Sequence, residues 1–548
     1  MELLDYIAIV VYLAITAVIV YRSSRQQDDT EDFFLGGRSM PWLAVGLSIM
    51  ATLLSTNTFL GAPGEMIKYG PAYVFGFVAY PFIALVVLFL WIPFFMRLRM
   101  TSAYEYLEHR FDYRARFVGG LLFLCMRLGW MSMVVYTASR AMVAMANEPL
   151  SRLAEWVSAP HPVYPVIAAI GLAATIYACI GGMRAVIWTD VLQALMLFGG
   201  VFMIIGYVTW SEGTSIGIWW STIVAHSDSP PHPKWFSWDL TERSTIITAA
   251  LGIFAWNVCT HASDQVALQR YFTTNSLKAA RSSFAVNIVS AATIGMLLAV
   301  AGLALRYFYL EHADRLAGNL RPESGADDLM PFFFVYQLPA GFGGLILVSF
   351  LCDAMQTIVS GVNSISAVIT QDVSERREAE SDRAGVRLAR LVTVGVGSGT
   401  TLLALLAATF AMRSGHTIFD MLPRMFNMFL GPLASMFILG MFCRRATAAV
   451  ILPSVLVTQL FSSLWSWWGE MPWLFNQLGL SGLAEFWPQI LGVDGDKMRT
   501  PSVMLAIAMP CLFGLAFGWL LSLIAGRREH AGMAYTWREV LRRPSENV

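Results

Sequence analysis

The chain has 548 residues, 56% of them hydrophobic and only 14% charged, and its 37 basic and 37 acidic side chains cancel. Soluble domains carry roughly 25% charged residues, so this composition, with a mean hydropathy of +0.58, excludes an ordinary soluble globular protein. A formal net charge of zero gives no reason to expect a nucleic-acid partner.

The first segment, MELLDYIAIVVYLAITAVIVYRSS, begins with acidic residues and has no small-x-small cleavage site after its apolar run. It reads as a spanning helix rather than a cleavable signal, with its N-terminus outside. Hydropathy then predicts about thirteen spans, with limits near 3–21, 41–69, 73–95, 117–147, 163–180, 186–209, 244–271, 283–307, 331–371, 389–412, 418–442, 446–468 and 502–524. In that orientation the inner loops and tail hold about 24 Lys and Arg against about 10 outside, which satisfies the positive-inside rule and puts the C-terminus in the cytoplasm. Two outer loops, about 210–243 and 469–500, are rich in Trp, Pro and Ser and are expected to lie along the surface as short helices or turns. The six cysteines, Cys125, Cys179, Cys259, Cys352, Cys443 and Cys511, fall in or beside apolar stretches without metal-site spacing, which argues for small buried hydrophobes.

Three stretches do not suit plain membrane helices. Residues 41–70 contain the polar run Ser55-Thr56-Asn57-Thr58 followed by Gly61, Pro63 and Gly64. Ser, Thr and Asn compete with the backbone for hydrogen bonds, and Pro removes one outright. Residues 253–272 cluster Asn257, Thr260, His261 and Ser263. Residues 350–373, FLCDAMQTIVSGVNSISAVITQDV, carry Asp353, Gln356, Thr357, Ser360, Asn363, Ser364 and Ser366 in an apolar setting. Irregular or polar backbone at membrane depth is tolerated where it lines a cavity or is buried in protein, and a pair of interrupted helices points to a transporter binding site. The plainer alternative is that small residues merely allow close helix packing. An enzyme would need a compact nucleophile or metal constellation, and the eight histidines show no HExxH-like spacing.

FFLGGRSMPW followed by GLSIMATLLSTNTFLGAPGEMIKYG, then TSAYEYLEHRF, YACIGGMRAVIWTDVLQ, SDQVALQRYF, NSISAVITQDV and GPLASMFILGMFCRRAT, resemble the sodium:solute symporter family in order from about residue 33 to 446. The resemblance implies an all-α polytopic membrane protein of the leucine-transporter-like (LeuT-like) class with a 5+5 inverted repeat. It divides the chain into a first helix and linker (1–40), a first repeat (41–209), an outer loop (210–243), a second repeat (244–445), two further helices (446–525) and a cytoplasmic tail (526–548). It also implies a multi-pass protein of the cell membrane, functional as a monomer, that couples import of a small-molecule solute to Na+. The tail after residue 525 is too short for the histidine-kinase domain that some members carry.

By that resemblance, one sodium lies between the first and eighth core helices, held by the carbonyls of Ala51 and Leu54 and the hydroxyl of Thr357. The chain departs from the pattern with Gln356 and Asp353; spacing puts 353, 356, 357 and 360 on one helical face. Asp190, with Ser360, could form a second cation site or a gate, but Val359 replaces one expected hydroxyl. The implied solute site comprises Ser55, Thr58, Phe77, His261 and Arg424. The Arg424 cation there favours a small organic anion such as a monocarboxylate, to which His261 would add a hydrogen bond. The competing readings are a buried Asp353–Arg424 ion pair, a sodium/sugar symporter, and a transporter-like sensor or channel.

Overall fold

The computed structural model describes residues 3–24, 30–98, 100–226, 235–316, 325–374, 382–414, 421, 423–494, 497–525 and 531–542. The principal helices are α1 (Leu3–Ser24), α2 (Trp42–Tyr69), α3 (Pro71–Leu98), α4 (Tyr113–Met145), α5 (Val163–Cys179) and α6 (Gly182–Glu212). They continue with α7 (Ile246–Ser263), α8 (Gln265–Phe272), α9 (Leu277–Glu311), α10 (Ala326–Tyr336) and α11 (Phe342–Ser374). The series ends with α12 (Asp382–Ser414), α13 (Pro423–Phe442), α14 (Ala448–Ser466) and α15 (Ala508–Ile524). Short helices Ile216–Ala225, Met471–Gln477 and Ser481–Leu491 occupy the two long loops, as expected, beside a two-residue antiparallel strand pair at Val493–Asp494 and Lys497–Met498.

Among the described residues, ten helices are long and apolar enough to cross a membrane, and α2 makes an eleventh if its two halves are one span. The apolar helices α5 and α15 are shorter and fall at the other two expected spans, so length and composition alone do not reach thirteen. Two boundaries are corrected. The single span expected at 331–371 is α10 and α11, separated where QLPAGF places Pro339 and a left-handed Gly341. The span expected at 244–271 is α7 and α8, broken at Asp264, whose backbone is extended and whose carboxylate accepts from Val266 N at 3.0 Å as the cap of α8. The break thus lies just past the polar cluster.

Packing puts α11 at the centre. Within its apolar window 83% of residues are buried, against 17% for α1, whose outer face is left to the surroundings. The α2–α9 contact is made possible by glycine: a Cβ at Gly46 would collide with the Ser283 carbonyl and Val286, and one at Gly302 with Pro63 and Met66. Close backbone approach of this kind is how helices pack without a hydrophobic driving force between them. Asp5 of α1 reaches the start of α11 and accepts from the Gly341 and Gly344 amides at 2.9 and 2.8 Å. Those amides are among the donors a helix N-terminus leaves unsatisfied.

Candidate functional site

The polar run in α2 bends it by 59° between Leu54 and Thr56. A bend of that size strains the i→i+4 ladder at the break. The bend faces α11. The backbone N–H of Thr56 donates to Asp353 Oδ2 at 2.6 Å, and the Thr56 hydroxyl donates to the same oxygen. Asp353 Oδ1 accepts from the Gln193 amide of α6.

Gln193 belongs to a reciprocal arrangement. Helix α6 carries Asp190-x-x-Gln193 and α11 carries Asp353-x-x-Gln356, and a spacing of three keeps each pair on one face. The Gln356 amide donates to Asp190 Oδ1 while Gln193 donates to Asp353. The crossed register makes the two helices antiparallel here, with each aspartate served by the other helix's glutamine. Gln356 Nε2 also lies 3.1 Å from the Val186 carbonyl and 3.2 Å from Thr189 Oγ1. The four side chains are buried, where an unbonded polar group costs about 1–3 kcal/mol.

The two carboxylates differ in charge partner. Asp190 pairs with Arg270 of α8 at 3.0 Å, both side chains 1% exposed. It also accepts from the Ser48 hydroxyl and, at 3.3 Å, from Thr52 Oγ1. Arg270 Nε donates to Ser48 Oγ at 2.8 Å, and Nη2 donates to Thr52 Oγ1 at 2.6 Å and Ser360 Oγ at 2.8 Å. Among the described residues no basic side chain pairs with Asp353, whose contacts are neutral donors. Thr357, one residue past Gln356, is buried, and its hydroxyl has no hydrogen-bond partner among the described residues' side chains, leaving it beside Gln356 on the same helix. Along α11, Asp353 thus meets the bend of α2, Gln356 meets α6 and Ser360 meets Arg270 of α8.

A cavity of about 220 Å³ opens on the other side of the bend. Thr58 and Phe77 line it, with the aromatic rings of Tyr73, Tyr80, Trp130 and Trp256 and the carboxamides of Asn257, Asn287 and Asn427. Glu65 is its ionisable carboxylate, and Arg243 grips that group through two contacts of 2.9 Å while lying over Tyr69. The side chain of Ser55 lies outside the described residues.

His261 and Arg424 do not reach this cavity. His261 is fully buried, its Nδ1 2.8 Å from Tyr271 Oη and its ring edge-on to Phe284. Arg424 lies in a separate pocket of about 360 Å³ with Arg243, Trp465 and Trp468, and its Nη2 is 2.6 Å from Glu470 Oε1. The alternative Asp353–Arg424 ion pair is corrected accordingly: Asp353 is engaged by Thr56 and Gln193, Arg424 by Glu470. A second buried ion pair, Arg127–Asp264, holds the α7–α8 break against α4.

Sequence reasoning missed Gln193, Arg270, Ser48, Thr52, Trp130, Trp256, Asn287 and Asn427. The repeated D-x-x-Q was a readable signal for Gln193. Nothing local marks Arg270, whose side-chain partners are 80, 90, 218 and 222 residues away.

Broken helices around a cavity, with a polar ladder beside one break, are the architecture of a polytopic membrane protein of the LeuT-like class. The chain belongs to the sodium:solute symporter family, whose sequence pattern it matches over residues 33–457. It is 31% identical to the sodium/sialic acid symporter NanT of Aliivibrio fischeri over 84% of this chain and 87% of that one. It is 29% identical to the sodium/sialic acid symporter SiaT of Proteus mirabilis, over 83% and 88%. A solved outward-open, substrate-bound Na+-coupled sialic acid symporter, described as revealing a novel Na+ site, superposes with a TM-score of 0.75 at 25% identity, covering 95% of this chain and 98% of that one. The fold is also similar to that of a nucleobase-cation-symport-1 family transporter in a closed conformation, at a TM-score of 0.50 and 14% identity over 91% and 97%.

Proposed function

We propose that this protein is a sodium-coupled symporter that carries a small solute through the cavity beside the α2 bend by alternating access. The sodium ion binds between α2 and α11, on the carbonyls of Ala51 and Leu54, the Asp353 carboxylate, the Gln356 amide oxygen and the Thr357 hydroxyl. The observation that carries this reading is Asp353: a buried carboxylate without a basic partner among the described residues, set against the bend of a broken helix. An isolated charge in such a place is costly, and a hard monovalent cation with oxygen ligands removes that cost. The repeats run over 41–209 and 244–445, with the N-terminus outside and the C-terminus in the cytoplasm, following the lysine and arginine bias.

For the solute, the cavity favours an uncharged molecule with an apolar face and several hydroxyl or amide groups. Aromatic rings offer flat apolar surface, three carboxamides offer donors and acceptors, and the one carboxylate is already gripped by Arg243. That moves the reading from the small organic anion expected from Arg424 and His261 toward the sugar-like class. The anion stands as a second reading, supported by relatives that include sialic acid symporters and sodium-coupled monocarboxylate transporters. Thermal-shift titration of the purified protein with neutral polyols and hexoses, and separately with small carboxylates, with and without sodium, tests both. Sodium-dependent stabilisation by neutral solutes that is weakened by Thr58→Ala supports the first; stabilisation by carboxylates alone overturns it.

A further inference from the structure

The C-terminal ends of α13 and α15 leave a cavity of about 620 Å³ between them, walled by Phe442 of α13 and by Leu515, Trp519 and Leu523 of α15. Arg444 and Arg445, in the turn where α13 stops, line it as well. It opens beside a close helix contact, in which a Cβ added at Gly518 would collide with Leu439. Phe442, Trp519 and Leu523 are exposed. In a chain that spans a membrane, such a surface faces acyl chains rather than water.

The arginines give this apolar groove a sign. Among the described residues Arg445 has no acidic partner. Arg444 meets Glu539 of the tail at 3.3 Å, but Arg542 lies 3.6 Å from the same carboxylate oxygen. Three guanidiniums thus share one carboxylate, and positive charge is left over beside the groove. Basic side chains and an aromatic ring at the ends of apolar helices mark the membrane–water interface, here on the side that the lysine and arginine bias assigns to the cytoplasm. A basic pocket between helices at that depth suits a negatively charged lipid headgroup. A zwitterionic headgroup carries its own cation, which two arginines repel, and a soluble anion gains nothing from the apolar wall.

We propose that the groove between the C-terminal ends of α13 and α15 is a binding site for an anionic phospholipid, whose acyl chains lie along Phe442, Leu515 and Leu523 and whose phosphate is held by Arg444 and Arg445. Guanidinium and phosphate match in geometry as well as charge. The site is separate from the cavity beside the α2 bend and depends on no reading of the solute or the sodium ion.

The test is thermal-shift titration of the detergent-purified full-length protein with phosphatidylglycerol, phosphatidylcholine of the same chain length, or soluble glycerol 3-phosphate. Phosphatidylglycerol is expected to raise the melting temperature at lower concentration than phosphatidylcholine, and glycerol 3-phosphate to leave it unchanged. One basic residue near the bilayer surface is worth about a fivefold change in affinity for anionic lipid. Arg445→Gln should therefore raise the half-saturating phosphatidylglycerol concentration about fivefold, and Arg444→Gln with Arg445→Gln further still. Arg152→Gln, at an exposed arginine of another helix, should leave it unchanged. Equal stabilisation by phosphatidylcholine, or an equal shift with glycerol 3-phosphate, overturns the proposal. So does a phosphatidylglycerol preference that survives the double substitution or falls as much with Arg152→Gln. If the double variant does not fold, Arg445→Gln alone is judged by the same criterion.

Discussion

Asp190 and Asp353 occupy matching places on two facing helices, each three residues before a glutamine that bonds the other, yet their charges are met differently. Asp190 has a permanent guanidinium and a ring of hydroxyls. Asp353 has neutral donors from the broken helix and from Gln193. The lesson is that equal burial does not imply equal function. A charge with a resident counterion is structural ballast that fixes the helices, whereas a charge hydrogen-bonded but uncompensated is available to a mobile cation.

The largest effect that can break this contrast is loss of one partner of the resident pair. Asp190→Asn strands the Arg270 guanidinium and is expected to destabilise the protein by about 3–5 kcal/mol, whereas neutralising both residues recovers most of that. Melting temperatures of the single and double variants check it; additive losses would separate the two residues. Gln193→Leu is expected to cost about 1.5–3 kcal/mol, because it removes a donor to a buried carboxylate. Its defect should narrow as sodium is added, a recovery read by thermal shift that a merely structural glutamine would not show.

Thr357→Ala removes one oxygen at the proposed sodium position. A lost ligand worth about 0.5–1.5 kcal/mol raises the half-saturating sodium concentration roughly two- to tenfold, measurable by sodium titration of stability. An unchanged titration would take Thr357 out of the site. Smallest is Arg424→Gln. The Arg424–Glu470 pair is part-exposed at the mouth of a separate pocket, so its loss should cost less than about 1 kcal/mol and leave the sodium titration unchanged. A large change there would return Arg424 to the solute path.

Much of the fold was legible because membrane helices announce themselves by length and charge depletion. The α2 bend was legible because Ser, Thr, Asn and Pro weaken a helix locally. The α10–α11 boundary was hidden since hydropathy averages over the short PAGFGG turn and sees one apolar block. Asp353 stood out as a charge in an apolar run, and its face of α11 followed from spacing. Its partners did not, for Thr56 and Gln193 are 297 and 160 residues distant. Arg424 and His261 misled for the same reason: each is a polar side chain in an apolar segment, but Glu470 lies 46 residues on, in the loop after α14, and Tyr271 folds back from α8. Sequence shows where a charge is. It does not show which distant side chain has already met it.

The central claim, that Asp353 and not Asp190 receives the sodium ion, is tested most directly by sodium-dependent stabilisation in two variants. Binding to the native state raises stability by RT ln(1 + [Na+]/Kd), so a lost site appears as a lost shift in melting temperature. Asp353→Asn is predicted to abolish or greatly weaken the shift, and the neutral pair Asp190→Asn with Arg270→Gln to retain it. The opposite pattern, a shift kept without Asp353 and lost without Asp190, would contradict the account.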